Sequence, residues 1–580
     1  MSLSLKVLSR GREMRSRKSR SNLDWIISGA EITPNSLLDR FSRAPSPARV
    51  AQFGLGLRRV GSAAASVSLS ASSFFSESFA FSAGNDSDAM GSRHKAGGFG
   101  QVDLRASSTA IVGSWFHVPE LAVRDIVFTV PLDYSSPDGS LITIFVREVV
   151  AVGKEEHHQP YLLYLQGGPG FECGRPAEAG GWIKKACEEY RVILLDQRGT
   201  GLSTPLTSST LSQFTSAQQQ ASYLQHFRAD NIVRDAEYVR SRLLPQGERW
   251  SILGQSFGGF CAVTYLSMAP GGLRHVLLTG GLPPLGEGCT ADMVYRECFK
   301  RVALQNAKFY SRFPRDEGLV RSIVLHLEAE GGVALPSGGT LTPRVLQLLG
   351  LTGLGSAGGF ERLHYLLERA WDPRLVPDAK IRLSHTFLRM VEVWLLDFDT
   401  NPLYALLHES IYCQGAASKW AAQRIREEFG DEFDAVKAAS KGEKVLFTGE
   451  MIFPWMFDEL NALKPLKEAA EILAEKEDWP PLYDLETLGS NKVPVAAAVY
   501  YEDMYVSFKL SDASAAKIRG IRTWVTNEYM HSGIREDGPR ILDHLFGLLK
   551  GSTLFGLGKR VNINVSADVV PSCWRLASLH

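Results

Sequence analysis

The spacing of hydrophobic residues predicts a layered α/β core in the first half of the chain. Short, nearly continuous apolar runs are typical of strands buried on both faces of a parallel sheet. Such runs occur at 161–165, 191–196, 250–253 and 275–280. Between the second and the third run, the segment 231–240 places its apolar residues along one helical face. Strand and helix therefore alternate, which indicates an α/β fold with a mainly parallel sheet.

Two further strands precede this pattern. Residues 123–130 and 141–150 are rich in β-branched residues and are separated by a turn that contains Pro137-Asp138-Gly139. We expect them to form an opening antiparallel pair.

After Leu285 the alternation stops, and the pattern becomes helical and amphipathic until about Leu488. A Gly-rich interruption at 350–359 divides this block. Strand patterns return at 493–501 and 521–526, and a helix over 540–549 closes the domain. The sequence therefore predicts a core in two parts, 107–285 and 489–553, with a helical cap inserted at 286–488.

The ends of the chain differ from this body. Residues 1–75 contain twelve Lys or Arg but four acidic residues, and serine is abundant. This composition favours an organelle transit peptide, so residues 1–106 are interpreted as a disordered leader. The leader predicts a plastid or mitochondrial location, whereas translation from Met90 would leave a cytoplasmic protein. A disordered tail without a targeting role would have the same composition. Residues 554–580 form a tail that fits no element.

The overall composition excludes several function classes. Net charge is zero among 580 residues, so nothing favours a nucleic-acid partner. No apolar run approaches the roughly 20 residues that a membrane span needs. The seven cysteines are scattered without a CxxC pair, which argues against a disulfide framework and a structural zinc. We expect no metal and no organic cofactor, and the sequence does not indicate an oligomeric state.

One motif carries a chemical prediction. Gly254-x-Ser256-x-Gly258 follows a strand and opens an apolar helix, as in a nucleophile elbow. The serine of such an elbow lies on a sharp turn, and larger residues two positions away would collide there. A Gly-rich turn inside an α/β core would show the same spacing.

A nucleophilic serine needs a base and an acid that orients the base. In an α/β-hydrolase both follow the serine, the acid after a late strand and the histidine after the last one. Asp503 follows the 493–501 run, with Glu502 as its alternative, and His531 follows the 521–526 run. His544 also lies late in the chain but inside the closing helix.

The loop Gln166-Gly167-Gly168-Pro169-Gly170 follows the strand at 161–165. Successive glycines let backbone N–H groups turn towards a developing oxyanion, and the residue after the nucleophile, Phe257, supplies the second N–H group. A plain tight turn is the alternative interpretation.

Three motifs together resemble one family. The motifs are Gly167-Gly168-Pro169-Gly170, Asp196-Gln197-Arg198-Gly199-Thr200-Gly201-Leu202-Ser203 and Gly254-Gln255-Ser256-Phe257-Gly258-Gly259. Over about residues 110–553 the chain resembles the proline iminopeptidase (prolyl aminopeptidase) family of α/β-hydrolases.

The resemblance implies a serine aminopeptidase with a helical cap, acting on peptides that have a free N-terminus. It implies Ser256 as nucleophile, Asp503 as acid and His531 as base. The N–H groups of Gly168 and Phe257 would form the oxyanion hole.

The family binds the substrate amine with cap glutamates, and Glu450 in Phe447-Thr448-Gly449-Glu450-Met451 is the best local match. Glu468 and Glu471 are the next candidates, and a solvated surface glutamate is the alternative for Glu450. Gln166 departs from the family, which usually has histidine there, so we expect a changed pocket. Arg198 is expected either to brace the site loops through a carboxylate or to cap a loop.

The sequence therefore predicts an α/β-hydrolase that removes an N-terminal proline or another small residue through an acyl-enzyme. An esterase or amidase with the same three residues is the first alternative. A ligand-binding receptor on a hydrolase scaffold is the second.

Overall fold

A computed structural model of the chain describes residues 110–286 and 288–551. The predicted leader at 1–106 and the predicted tail at 554–580 lie outside the described residues.

Twelve β-strands occur in these ranges. They are β1 Ile111–Val112, β2 Phe116–Val118, β3 Leu121–Pro131, β4 Leu141–Ala151, β5 Tyr161–Leu165, β6 Arg191–Leu195, β7 Trp250–Gln255, β8 Leu273–Thr279, β9 Val333–Ala334, β10 Thr340–Leu341, β11 Val495–Tyr500 and β12 Ile521–Thr526.

Ten of these strands form one sheet in the order β1-β3-β4-β6-β5-β7-β8-β11-β12, and β2 pairs with β3. From β6 to β12 all neighbours are parallel, whereas β3 and β4 form the predicted antiparallel pair. The pairing of β8 with β11 joins the two parts of the core, with Val276 opposite Val495. The predicted α/β-hydrolase fold with a mainly parallel sheet is confirmed.

Twenty α-helices connect and cover the strands. They are α1 Gly181–Ala186, α2 Ser208–Leu211, α3 Ala217–Leu224, α4 Ala229–Leu243, α5 Phe257–Met268, α6 Ala291–Arg312, α7 Pro314–Ala329, α8 Pro343–Gln347, α9 Gly350–Gly355, α10 Gly359–Leu367, α11 His385–Thr400, α12 Pro402–Leu407, α13 Ala421–Glu428, α14 Ala435–Lys441, α15 Met456–Glu459, α16 Lys467–Ala474, α17 Leu485–Gly489, α18 Phe508–Ala515, α19 Gly533–Glu536 and α20 Gly538–Lys550.

The side chains of β5 show how the sheet is buried on both faces. Leu162 and Tyr164 pack in a cluster with residues of α1 and α20, whereas Leu163 and Leu165 pack in the larger cluster that contains residues of α4 and α5. Successive side chains of a strand point to opposite faces, so a continuous apolar run serves both. The larger cluster continues into the cap helices.

The block between β8 and β11 consists of helices α6–α17, three-residue or four-residue 3-10 turns and the short hairpin β9–β10. The Gly-rich segment at 350–359 interrupts the helical pattern only at 356–358, because residues 350–355 form helix α9 and α10 begins at Gly359. Its glycines permit close packing. A Cβ on Gly350 would lie 2.1 Å from the Thr448 carbonyl oxygen, and one on Gly355 would lie 2.2 Å from the Tyr505 hydroxyl.

Candidate active site

The predicted site residues meet at one edge of the sheet. Gln166 follows β5, Ser256 follows β7 and Gly280 follows β8, while Asp503 and His531 follow β11 and β12. These strands are parallel neighbours, so their carboxyl ends share an edge, which is where ligands bind in open α/β sheets.

Ser256 lies in the sharp turn between β7 and α5. Its φ of 53° and ψ of −124° are strained values for a residue with a side chain. A Cβ on Gly258 would lie 1.9 Å from the Leu165 carbonyl oxygen, and one on Gly254 would lie 2.5 Å from that of Gly258. The turn is therefore possible only with glycine at both positions, as the motif predicted.

His531 and Asp503 form a buried pair. His531 Nδ1 and Asp503 Oδ2 are 2.6 Å apart, and the two residues are 8 % and 1 % exposed. The second oxygen, Asp503 Oδ1, accepts the backbone N–H groups of Tyr505 at 2.8 Å and of Val506 at 3.0 Å. These bonds orient the carboxylate so that Oδ2 can accept a hydrogen bond from the imidazole Nδ1–H group.

The electrostatics of this pair favour a charged imidazole. Burial alone lowers the pKa of His531, but the charge and hydrogen bond of Asp503 outweigh burial, with a contribution from Glu450, so that the pKa is raised overall. The ring also lies beside that of Tyr505, with centroids 4.6 Å apart.

Two glycines at the end of β8 separate Ser256 from His531. A Cβ on Gly281 would lie 2.4 Å from the Ser256 carbonyl oxygen, and one on Gly280 would lie 3.2 Å from His531 Nδ1. In addition, the Ser256 N–H donates to the Thr279 carbonyl at 3.0 Å. The strand end β8 therefore sets the spacing between the two residues.

The glycine loop after β5 passes over Ser256. A Cβ on Gly167 would lie 2.9 Å from the Ser256 Cβ. Within the described residues, the Gly168 N–H donates to no backbone or side-chain acceptor, and Phe257 is the first residue of α5, whose N–H has no partner in its own helix. Two backbone donors are thus free beside the serine.

Glu450 lies close to the histidine although it belongs to the cap. Its Oε1 accepts the hydroxyl of Tyr404 at 3.0 Å. Burial raises the pKa of Glu450 to about 7, against the lowering effects of His531 and the Tyr404 hydrogen bond. The structure therefore brings this predicted residue to the site as a buried carboxyl group with a raised pKa.

Aromatic side chains enclose Glu450. Burial raises the pKa of Tyr404 and Tyr412, and in both cases the charge of Glu450 adds to the effect. Successive ring contacts lead from α5, the helix after Ser256, to Phe171, which follows the glycine loop. The ring pairs are Phe257–Phe260, Phe260–Tyr412, Tyr295–Tyr412, His408–Tyr412, Tyr404–His408 and Phe171–Tyr404, with centroids 5.1 to 6.4 Å apart.

The alternative residues lie elsewhere. Glu502 Oε2 is paired with Lys308 and lies within 3.5 Å of Arg301. His544 stacks on Trp524, with centroids 4.0 Å apart. Of the other cap glutamates, Glu468 is exposed.

Glu471, the second of those glutamates, accepts the Trp420 indole N–H at 2.7 Å. Arg198 is buried and pairs through two nitrogens with Asp235 of α4 at 2.7 Å. It also donates to the carbonyls of Pro131, Leu132 and His226, so both expected roles, pairing with a carboxylate and capping loops, are present.

Sequence reasoning missed two residues of this region. Tyr404 lies in α12, which is buried along its whole length and whose Leu403 is close to Gly170 and Gly199 of the sequence motifs. Arg535 follows His531 by one turn and donates to Gln166 Oε1 at 2.9 Å. The position of Arg535 next to His531 was a signal, whereas no local pattern identified Tyr404.

In the part of the chain that the structure describes, no group of three or more His, Cys, Asp or Glu side chains is arranged to hold a metal ion. In the same part of the chain, each helix is too short or too polar to cross a membrane.

Comparison with known proteins agrees with the fold and the motifs. Residues 160–325 match the α/β-hydrolase fold family model. The chain is 51% identical over 422 residues to a proline iminopeptidase of Aeromonas sobria, which covers 73% of this chain and 95% of that protein. Proline iminopeptidase aneH of Aspergillus aculeatus is 39% identical over 427 residues, covering 73% and 92%.

Among solved structures, proline iminopeptidase of Mycobacterium smegmatis aligns with a TM-score of 0.35 and 14% identity, covering 73% of this chain and 99% of that one. Identity of about half over nearly the whole length of a relative is far above what a shared fold alone produces. The chain belongs to the proline iminopeptidase family and is a serine exopeptidase of the α/β-hydrolase class.

Proposed function

We propose that this aminopeptidase removes an N-terminal proline, or another small residue, through a Ser256–His531–Asp503 triad. The observation that carries the proposal is the 2.6 Å contact of His531 with Asp503 beside a strained serine, with the buried carboxyl group of Glu450 near His531. The substrates are peptides with a free N-terminus.

Ser256 Oγ attacks the carbonyl of the first residue, and His531 Nε2 accepts its proton. Asp503 stabilises the imidazolium that forms. Among the described residues, the Ser256 side chain donates to no protein acceptor, so its hydrogen bond to the imidazole forms when the substrate binds.

The negative charge that develops on the carbonyl oxygen faces the N–H groups of Gly168 and Phe257. When the tetrahedral intermediate collapses, His531 returns the proton to the leaving amine. A water molecule, deprotonated by the same histidine, then hydrolyses the acyl-enzyme and frees Ser256.

Glu450 supplies the exopeptidase register. A carboxylate in a partly dry cavity attracts the ammonium group of the substrate, which places the first carbonyl, and no later one, at Ser256. The aromatic rings around it offer an apolar surface to a small ring such as pyrrolidine. Proline fits this combination of one anion and apolar walls.

An esterase or amidase acting on small acyl groups would use the same triad but would not need an anion in the acyl pocket. The buried carboxyl group of Glu450, whose Oε1 accepts the Tyr404 hydroxyl, favours the aminopeptidase over that alternative, because an anion there has a use only where the substrate carries a cation. The chain belongs to a family of enzymes, which argues against the alternative of a ligand-binding receptor.

A panel of aminoacyl-arylamides with free and with acetylated amines tests the proposal, together with acyl esters. We expect the proline derivative with a free amine to have the highest kcat/KM. Ser256→Ala should lower kcat at least about 10³-fold on every substrate while the melting curve stays that of a folded protein.

Acyl esters turned over faster than all free-amine substrates would favour the esterase. Turnover by Ser256→Ala near the wild-type rate would remove this serine from the mechanism.

A further inference from the structure

Arg535 is a surface residue near His531. It belongs to the short helix α19, one turn after His531, and its side chain is exposed. One guanidinium nitrogen donates to Gln166 Oε1 at 2.9 Å.

Gln166 connects this arginine to the loop over the nucleophile. Its Oε1 also accepts the Tyr164 hydroxyl at 2.9 Å and the Gly167 N–H at 3.1 Å. Its Nε2 donates to the Glu172 carbonyl at 3.2 Å, which fixes the orientation of the amide. Because Gly167 is in contact with Ser256, the guanidinium is held beside the reacting centre.

The positive charge of Arg535 has no direct counter-ion. Within 110–286 and 288–551, no carboxylate lies within the 4.0 Å of an ion pair, and Gln166 uses one of the five N–H donors. Asp397 of α11 is near enough for the arginine to oppose the rise in its pKa that burial causes, but the two form no ion pair.

The chemistry of the reaction decides what this cation faces. His531 must hand a proton to the leaving amine, so the leaving residue lies on the side of His531. Arg535 is an exposed cation on that side. In a dipeptide, the carboxylate of the leaving residue is separated from the leaving nitrogen by a single carbon atom.

We propose that Arg535 and Gln166 form a binding subsite for the carboxylate of the leaving residue, so that the enzyme prefers dipeptides. This inference rests on the proposed function. Arginine suits the task because its planar fork can bind both oxygens of a carboxylate while one donor stays on Gln166.

The test compares three substrates that share an N-terminal proline: Pro-Ala, its C-terminal amide and proline arylamide. The amide keeps the shape of the dipeptide and removes the charge, and the arylamide has no carboxylate. For the wild type we expect kcat/KM at least about 10-fold higher for the acid than for the amide, since an ion pair of this kind is worth about 1.4 kcal/mol or more.

Arg535→Gln should bring the ratio of acid to amide close to one and change the rate on arylamide less than about threefold. Arg535→Lys should keep part of the ratio, because a point charge remains. Asp397→Asn should raise the ratio, since it removes a neighbouring negative charge. Arg519→Gln, an exposed arginine at the opposite end of β12, is the matched control and should leave the ratio unchanged.

A wild-type ratio near one, or a ratio that Arg535→Gln leaves intact, overturns the proposal. Equal losses on all three substrates also overturn it, because they would show that the arginine supports the glycine loop. If the wild type does not hydrolyse proline arylamide at all, it is the proposed function that fails.

Discussion

At the scale of single residues, Glu450 is unusual because its carboxyl group is buried and its pKa is raised. A carboxyl group with a pKa of about 7 is ionised when a cation approaches and is largely neutral in weak acid. The pKa of His531 is also raised above its ordinary value.

We therefore predict two proton-linked steps for substrates with a free amine. Both Glu450 and His531 must be deprotonated in the free enzyme, so log kcat/KM should fall with a slope approaching two as the pH drops below about 7. An acetylated substrate needs His531 alone, so its slope should approach one. Glu450→Gln should give a slope of one on both substrates.

The same variant carries a stability control. Because the folded pKa of Glu450 is raised, the folded state loses stability as the pH rises from the unfolded value of about 4.3 to about 7. Glu450→Gln should melt about 4 °C higher than the wild type at pH 8 and equally at pH 4. A variant that melts lower at pH 8 would show that the carboxyl group supports the cap.

Order along the chain was sufficient to predict Asp503 and His531, because each follows a recognisable strand. Glu450 needed the family resemblance, since the segment 447–451 lacks regular secondary structure and a periodic pattern. Tyr404 acts through its contact with Glu450, which is far away in sequence, and a single sequence does not encode such a contact in its local spacing. For Arg535, the position four residues after His531 was the available signal.

At the scale of elements, the turn between β7 and α5 is the most constrained connection. It is held from one side by the end of β5, where the Leu165 carbonyl occupies the place of a Cβ on Gly258. It is held from another side by the end of β8 through Thr279.

Gly258→Ala should therefore be severe. The added methyl group meets backbone atoms of β5, which cannot rotate away, so we expect a loss of at least about 3 kcal/mol in unfolding free energy and of most activity. Gly271→Ala is the matched control, because no atom lies within 4 Å of its Cβ position, and its effect should stay within about 0.5 kcal/mol. Urea unfolding measures both, and equal stabilities would contradict the prediction.

Elements of the core were predictable because strands buried on both faces and amphipathic helices leave period-specific patterns. Helix α9 was not predictable, since glycines in a sequence indicate a break between helices when their tertiary contacts are unknown. Their reason is tertiary: Thr448 and Tyr505 approach too closely for larger residues. The hairpin β9–β10 has two-residue strands, which are too short for any period to appear.

At the scale of the whole molecule, Arg228 joins the core to the cap. It precedes α4, is 1 % exposed, and donates to the carbonyls of Ser410, Cys413 and Pro480 at 2.8 to 3.2 Å. Its guanidinium also lies 4.6 Å from the ring centroid of Trp479.

Arg228→Met should loosen this contact. Three buried carbonyls would lose a charged donor, so we expect a loss of about 3 kcal/mol and a decrease in melting temperature of about 4 °C. KM for free-amine substrates should rise, because Tyr412 beside Ser410 belongs to the enclosure of Glu450. Arg234→Met, on the exposed side of α4, is the control and should change neither quantity measurably. An unchanged KM in Arg228→Met would show that the contacts of Arg228 with the cap do not affect the surroundings of Glu450.

The pairing of β8 with β11 has a consequence for the order of events during synthesis. Translation completes the nucleophile elbow first, then the entire cap, and only afterwards the strands that bring the acid and the base. A growing chain thus displays Ser256 without a proton acceptor. On the proposed mechanism, peptidase activity therefore begins only after β11 and β12 have left the ribosome and β11 has paired with β8.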